Sequence, residues 1–212
     1  MINTKLLKVI NPFLKVANKS LQGVLYSFDK IVFTDSHFLC VIDKNSNIDR
    51  EIFVTLDGKI LQDFKFPYYH SVLDEESEAV YEGEICFSRF EYLFEIVSFK
   101  SKVDYALIFD ISRDKAQIEE IHAISRNGQA VIKPKSAIQI YTHSFKQEET
   151  SFKVALGLRY FKLFYDICKV FDISSDVFCE FKFINPKRPI FLNCERIKFI
   201  VMPMDIKAIL EN

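Results

Sequence analysis

Lys198-Phe199-Ile200-Val201-Met202-Pro203-Met204 decides how the chain is read. Phe199 to Met202 are apolar without a break, so alternation between a wet and a dry face does not describe them. Such a run suits a strand covered on both faces. Pro203 lacks a backbone donor and ends the ladder. What remains is two flexible thioethers flanking a rigid ring. Side chains of this kind fill cores and also line adaptable binding grooves, and on chemistry alone Met202 and Met204 suit either.

The 212 residues suffice for one large domain or two small ones. Hydrophobic residues make up 49% and charged residues 27%, a globular balance. The net charge is −1, so nucleic-acid contact has to come from a local patch. Five glycines and six prolines argue against long linkers. No apolar run approaches the roughly 20 residues that span a bilayer. Met1–Phe13 lacks the apolar core and cleavage site of a signal peptide. Cys40, Cys86, Cys168, Cys179 and Cys194 are scattered, with no C-x-x-C. They indicate neither a zinc site nor a disulfide framework, but reduced thiols in a cytoplasmic protein without a membrane partner.

Taken in order, Asn11-Pro12 is a helix cap followed by a helix over 12–19, with Lys15 and Lys19 on one face. Leu21–Phe28 and Lys30–Asp43 are strands. Glu51–Leu56 and Lys59–Phe64 make a hairpin around Asp57-Gly58. Phe66–Leu73 leaves it, and the acidic stretch Asp74–Glu78 marks a domain boundary. Val80–Phe87 is a strand, and Ser88-Arg89-Phe90-Glu91 is a capping box opening a helix to Phe99. Strands follow at Tyr105–Ile111, Gln117–Ser125, Val131–Thr142 and Phe152–Leu156, with a turn at Asn127-Gly128. Leu158–Phe171 is the next helix, and Val177–Ile184, Pro189–Asn193 and Lys198–Met204 close the chain. Strand, helix and several antiparallel strands thus occur three times. Arg89-Phe90…Leu93-Phe94 returns as Arg159-Tyr160…Leu163-Phe164. The class is α+β, antiparallel sheets with helices on one face and repeated units.

No constellation supports catalysis. His37 reads as a structural histidine without a catalytic partner spaced for it, and His70, His122 and His143 are isolated, with no H-x-x-x-H and no H-E-x-x-H. Glu119-Glu120 and Glu148-Glu149 read as solvated surface. There is no glycine-rich phosphate loop. The sequence indicates no cofactor and no metal.

Four stretches resemble the bacterial DNA sliding clamp, the β subunit of DNA polymerase III. They are Leu21-Gln22-Gly23-Val24-Leu25-Tyr26, Thr34-Asp35-Ser36-His37-Phe38-Leu39, Phe66-Pro67-Tyr68-Tyr69-His70-Ser71-Val72-Leu73 and Val201-Met202-Pro203-Met204. Phe38 stands where the family has arginine, and His70-Ser71 replace an arginine pair. Family clamps carry three domains. Residues 1–78 resemble a truncated middle domain lacking its second helix, and 79–212 a complete C-terminal one. Asp205–Asn212 replaces the family's shorter ending, and its Ile206–Leu210 is able to fold back into the groove.

The resemblance implies a non-catalytic processivity factor that surrounds or touches duplex DNA without sequence preference. It also implies a homo-oligomeric ring, and binding of DNA polymerase and other partners through short peptides. The peptide groove would use Leu21, Thr34, His37, Leu39, Pro67, Val72, Ile200, Met202, Pro203 and Met204. Helices would face DNA with Lys15, Lys19, Arg89, Lys100, Arg159, Lys162 and Lys169. The alternative is a monomeric clamp-fold adaptor or decoy that does not encircle DNA.

Overall fold

A computed structural model describes residues 3–44, 50–61, 64–97, 103–112, 115–125, 128–134, 138–146 and 151–210. Helix α1 spans Thr4–Leu14. Asn3 Oδ1 caps it, accepting from the Lys5 and Leu6 N–H groups at 3.0 and 3.1 Å. Leu6, Ile10 and Leu14 form a fully buried stripe. That stripe outweighs the one backbone bond Pro12 cannot make inside the helix. The helix expected over 12–19 is therefore displaced toward the N-terminus. Lys15 becomes its C-cap and Lys19 opens a separate 3-10 turn, Lys19–Leu21, so the two lysines do not share one helix.

Five strands follow: β1 (Gly23–Tyr26), β2 (Lys30–Thr34), β3 (Phe38–Asp43), β4 (Ile52–Thr55) and β5 (Ile60–Leu61). The single strand expected over Lys30–Asp43 is a hairpin instead. Ser36 turns at φ 79°, and Asp35 Oδ1 accepts from the His37 and Phe38 N–H groups at 2.8 and 3.0 Å. An aspartate bonding its own following backbone competes with a continuous ladder. The β4–β5 hairpin turns at Gly58, φ 84°, as its Asp-Gly pair indicates. Phe66–Leu73 ends in a short helix α2 (His70–Asp74), and Glu75–Glu78 is a 3-10 turn.

The rest comprises β6 (Tyr81–Cys86), α3 (Arg89–Glu95), β7 (Asp104–Ile111), β8 (Ala116–Ser125), β9 (Gly128–Ile132) and β10 (Ile138–Phe145). After these come β11 (Phe152–Gly157), α4 (Leu158–Val170), β12 (Phe178–Phe183), β13 (Ile190–Cys194), β14 (Ile197–Val201) and α5 (Ile206–Leu210). The expected strand Val131–Thr142 is two strands. Both pair with β8, at different ends of that long strand. Ser88 makes no capping bond, so the capping box does not form. Glu91 instead accepts from the Tyr165 hydroxyl at 2.5 Å. Asn127, Phe99 and Lys100 lie outside the described residues.

All strands join one antiparallel sheet, ordered β11-β7-β8-β10-β6-β12-β13-β14-β3-β2-β1-β4-β5, with β9 against β8. The β14–β3 ladder joins the end of the chain to its first third, across the expected boundary at Asp74–Glu78. Alternate residues face two sides. Phe33, Phe38, Phe181, Phe199 and Val201 enter the main core beneath α1, α3 and α4. Leu39, Val41, Phe53 and Ile200 face outward under Phe64, Phe66, Tyr69 and Val72. The run Phe199–Val201 is therefore buried on both faces, as its composition requires. Phe90 and Phe161, 4.7 Å apart between centroids, bring the two matching helices together. Among the described residues no helix is long and apolar enough to cross a membrane.

Candidate functional site

The end of β14 builds the site. Val201 pairs with Phe38, the Met202 N–H donates to the His37 carbonyl at 2.8 Å, and Pro203 ends the ladder. The Met204 N–H then donates to the Ala155 carbonyl at 2.8 Å. The segment thus bridges from the β2–β3 turn to β11, leaving Met202 exposed between two clefts.

The first cleft, about 170 Å³, gathers Thr34, His37, Leu39, Pro67, Val72, Ile200 and Met202, seven of the ten predicted groove residues. Ser36, Phe38, Phe66, Tyr68 and Tyr69 complete it. The second, about 310 Å³, holds Pro203 and Met204 with Tyr105, Gly157, Arg159 and Tyr160. His37 and Met202 line both and form the wall between them. Leu21 is a correction: it is buried in the 3-10 turn before β1 and lines neither cleft, because the turn directs the chain into the sheet at Gly23.

Polar contacts hold the wall in place. Asp35, only 8% exposed, fixes the turn and accepts from Tyr160 Oη at 3.3 Å. Arg159 donates to the same oxygen at 2.7 Å. The His37 ring lies nearly parallel to Tyr160, centroids 6.5 Å apart. Burial, and then the neighbouring Asp35 charge, push the Tyr160 hydroxyl up, so it remains a donor at neutral pH. The clefts offer an apolar floor, two thioethers and a few oriented polar groups, a surface suited to an extended peptide with apolar anchors.

Among the described residues, none of the tail beyond Met204 lines the first cleft. Ile209, 4% exposed, packs with Ile206 and Met204 on Ala106, Ile108 and Ala155, the outer face of β7 and β11. The fold-back expected of Ile206–Leu210 is therefore onto this sheet face. Met204 serves both that contact and the second cleft.

The predicted DNA-facing cations do not act alike. Lys15 and Lys19 are exposed. Lys162 pairs with Asp166 and lies over the Phe94 and Tyr165 rings. Lys169 pairs with Glu91 at 3.4 Å. Arg159 is turned toward the second cleft, and Arg89 lines a separate one. Tyr68 and Tyr69, which line the first cleft but were not predicted to, lie inside a quoted stretch. Arg159 and Tyr160 join the site only through the meeting of α4 with the β2–β3 turn, which no local pattern announces.

Neither a family model nor a curated protein matches this sequence. Solved structures do. Caulobacter crescentus pol III beta superposes with a TM-score of 0.66 at 13% identity, covering 97% of this chain and 65% of that one. The DNA polymerase III subunit beta of Pseudomonas aeruginosa gives 0.64 at 14%, over 97% and 65%. The Helicobacter pylori beta clamp bound to a DNA ligase peptide gives 0.63 at 15%, over 95% and 62%. The chain spans under two thirds of the length of each of these clamps. Its own fold, along nearly its whole described length, is that of the DNA polymerase III β sliding clamp.

Proposed function

We propose that the protein is a clamp-like DNA replication accessory factor that binds partner proteins through the paired clefts around Met202. In this reading residues 1–78 and 79–212 are two clamp-type units, and the peptide lies where they meet. The observation that carries it is the hydrogen-bonded junction of His37 with Met202, which sets two apolar clefts side by side. The ligase peptide held by the Helicobacter pylori clamp supports the same class of ligand. A labelled Gln-x-x-Leu-Phe peptide is expected to bind the full chain. Met202→Ala should weaken it by about tenfold, the equivalent of roughly 1.4 kcal/mol. Equal affinity in both proteins removes the cleft assignment.

Contact with duplex DNA would be sequence-independent, through Lys15, Lys19 and the cations of α4. The pairing of Lys162 and Lys169 with Asp166 and Glu91 favours a second reading, a monomeric adaptor that presents the peptide site without encircling DNA. Sedimentation with and without duplex DNA separates the two. A closed oligomer retained on circular DNA supports the clamp, and a monomer indifferent to DNA supports the adaptor.

A further inference from the structure

A second cleft system lies away from Met202, where β10 changes partners. From Phe145 to Tyr141 it pairs with β6, against Tyr81 to Glu84. From Ile140 to Ile138 it pairs with β8, against Ala116 to Ile118. Beyond Glu84, Ile85 and Cys86 keep their ladder with Cys179 and Phe178 but have no β10 partner among the described residues. The two strands part there, and a cleft of about 660 Å³ opens between them, lined by Cys86, Arg89, Gln139, Tyr141 and Phe178 among others.

The lining has a definite chemistry. Tyr141 and Phe178 are 60% and 46% exposed, with ring centroids 6.3 Å apart at 61°. Exposed paired aromatics are unusual on a free surface and mark contact sites. Arg89 is exposed and makes no ion pair or hydrogen bond among the described residues. Its counterpart in the repeat, Arg159, is bonded to Tyr160. The nearby carboxylate of Glu84 is taken by His143 at 2.9 Å. A free guanidinium at the mouth suits a planar carboxylate.

We propose that the slot between β6 and β10 binds a short extended peptide carrying a carboxylate beside an aromatic residue. The peptide main chain pairs with the backbone of Cys86, the β6 residue that faces the gap past the Glu84–Tyr141 pair, its acid meets Arg89, and its ring packs on Tyr141 and Phe178. One cation is too few to follow a phosphate backbone, whereas an open strand edge fits main-chain pairing, so a peptide is favoured over single-stranded nucleic acid. The site is independent of the clefts at Met202.

Panning a random heptapeptide display library on the full chain tests it. Enriched sequences are expected to carry Asp or Glu next to Phe, Tyr or Trp. Their binding should fall by about tenfold or more in Arg89→Glu and in Tyr141→Ala. It should be unchanged in Met202→Ala, which separates this site from the first. Unfolding curves confirm that each variant is folded, and both changes are at exposed side chains. Absence of any enriched sequence sensitive to Arg89→Glu overturns the proposal. So does oligothymidylate binding that Arg89→Glu abolishes while peptide binding is unaffected.

Discussion

Tyr160 Oη donates to Asp35 Oδ2 at 3.3 Å, joining α4 to the β2–β3 turn across 125 positions of sequence. The other oxygen of Asp35 holds the His37 and Phe38 N–H groups. One buried carboxylate therefore shapes the turn and docks it on the helix. Asp35→Ala is expected to lose about 1–3 kcal/mol, the cost of stranded buried donors, and Tyr160→Phe only about 0.5–1.5 kcal/mol. Denaturant midpoints of the two variants check this order.

Stability should fall on the alkaline side. Burial, as the leading cause, raises the hydroxyls of Tyr26, Tyr69, Tyr81, Tyr160 and Tyr165 above the ordinary value of 10.0. The folded state thus holds protons that the unfolded chain releases near that value. Its contribution is complete below pH 10.0 and is lost as pH rises toward the folded values. Thermal unfolding between neutral pH and pH 11 reads it, and Tyr160→Phe should flatten the slope.

Glu76 sets the acid side. Burial opposes its charge, but Lys198, Lys182 and Asn193 hydrogen-bond the carboxylate and hold it below the usual 4.5. Lys198 and Lys182 lie 2.8 and 3.0 Å away, and Asn193 donates at 2.8 Å. These contacts pin the Glu75–Glu78 turn to β12, β13 and β14. The stabilisation is present above pH 4.5 and lost as pH falls through the depressed folded value. Glu76→Gln should cost about 1–3 kcal/mol at neutral pH and reduce the acid sensitivity. Unfolding free energies at neutral and acid pH measure both effects.

Gly23 tolerates no side chain. A Cβ there would lie 2.5 Å from the Val54 carbonyl oxygen and 2.5 Å from Phe53 Cζ. The oxygen belongs to the β4 backbone and cannot move aside. Gly23→Ala is expected to destabilise by about 1–3 kcal/mol or more. Gly58→Ala faces no neighbour, only the strain of φ 84°, and should cost about 1 kcal/mol. Thermal midpoints of the two variants give the comparison.

Much of the candidate cleft was legible because its parts are local. Thr34–Leu39, Phe66–Val72 and Val201–Met204 each carry their own pattern, and seven predicted residues meet in one cleft. Leu21 lies outside that cleft because a 3-10 turn buries it. The lysine pair on α1 failed because the Leu6–Ile10–Leu14 stripe, not Asn11-Pro12, sets the helix. The Asp35 turn was missed since a strand-like composition concealed a side chain bonding its own backbone.

By itself the sequence determined an α+β chain of repeated units and a doubly buried closing strand, since burial and periodicity act over a few residues. Only the tertiary structure decided that His37 and Met202 share a wall, that Arg159 turns to Tyr160 while Arg89 has no ion-pair partner among the described residues, and that α5 covers β7 and β11. Those outcomes depend on pairings such as β3 with β14, joining residues more than 150 positions apart. Their free energy comes from surfaces that meet only once the whole sheet has formed.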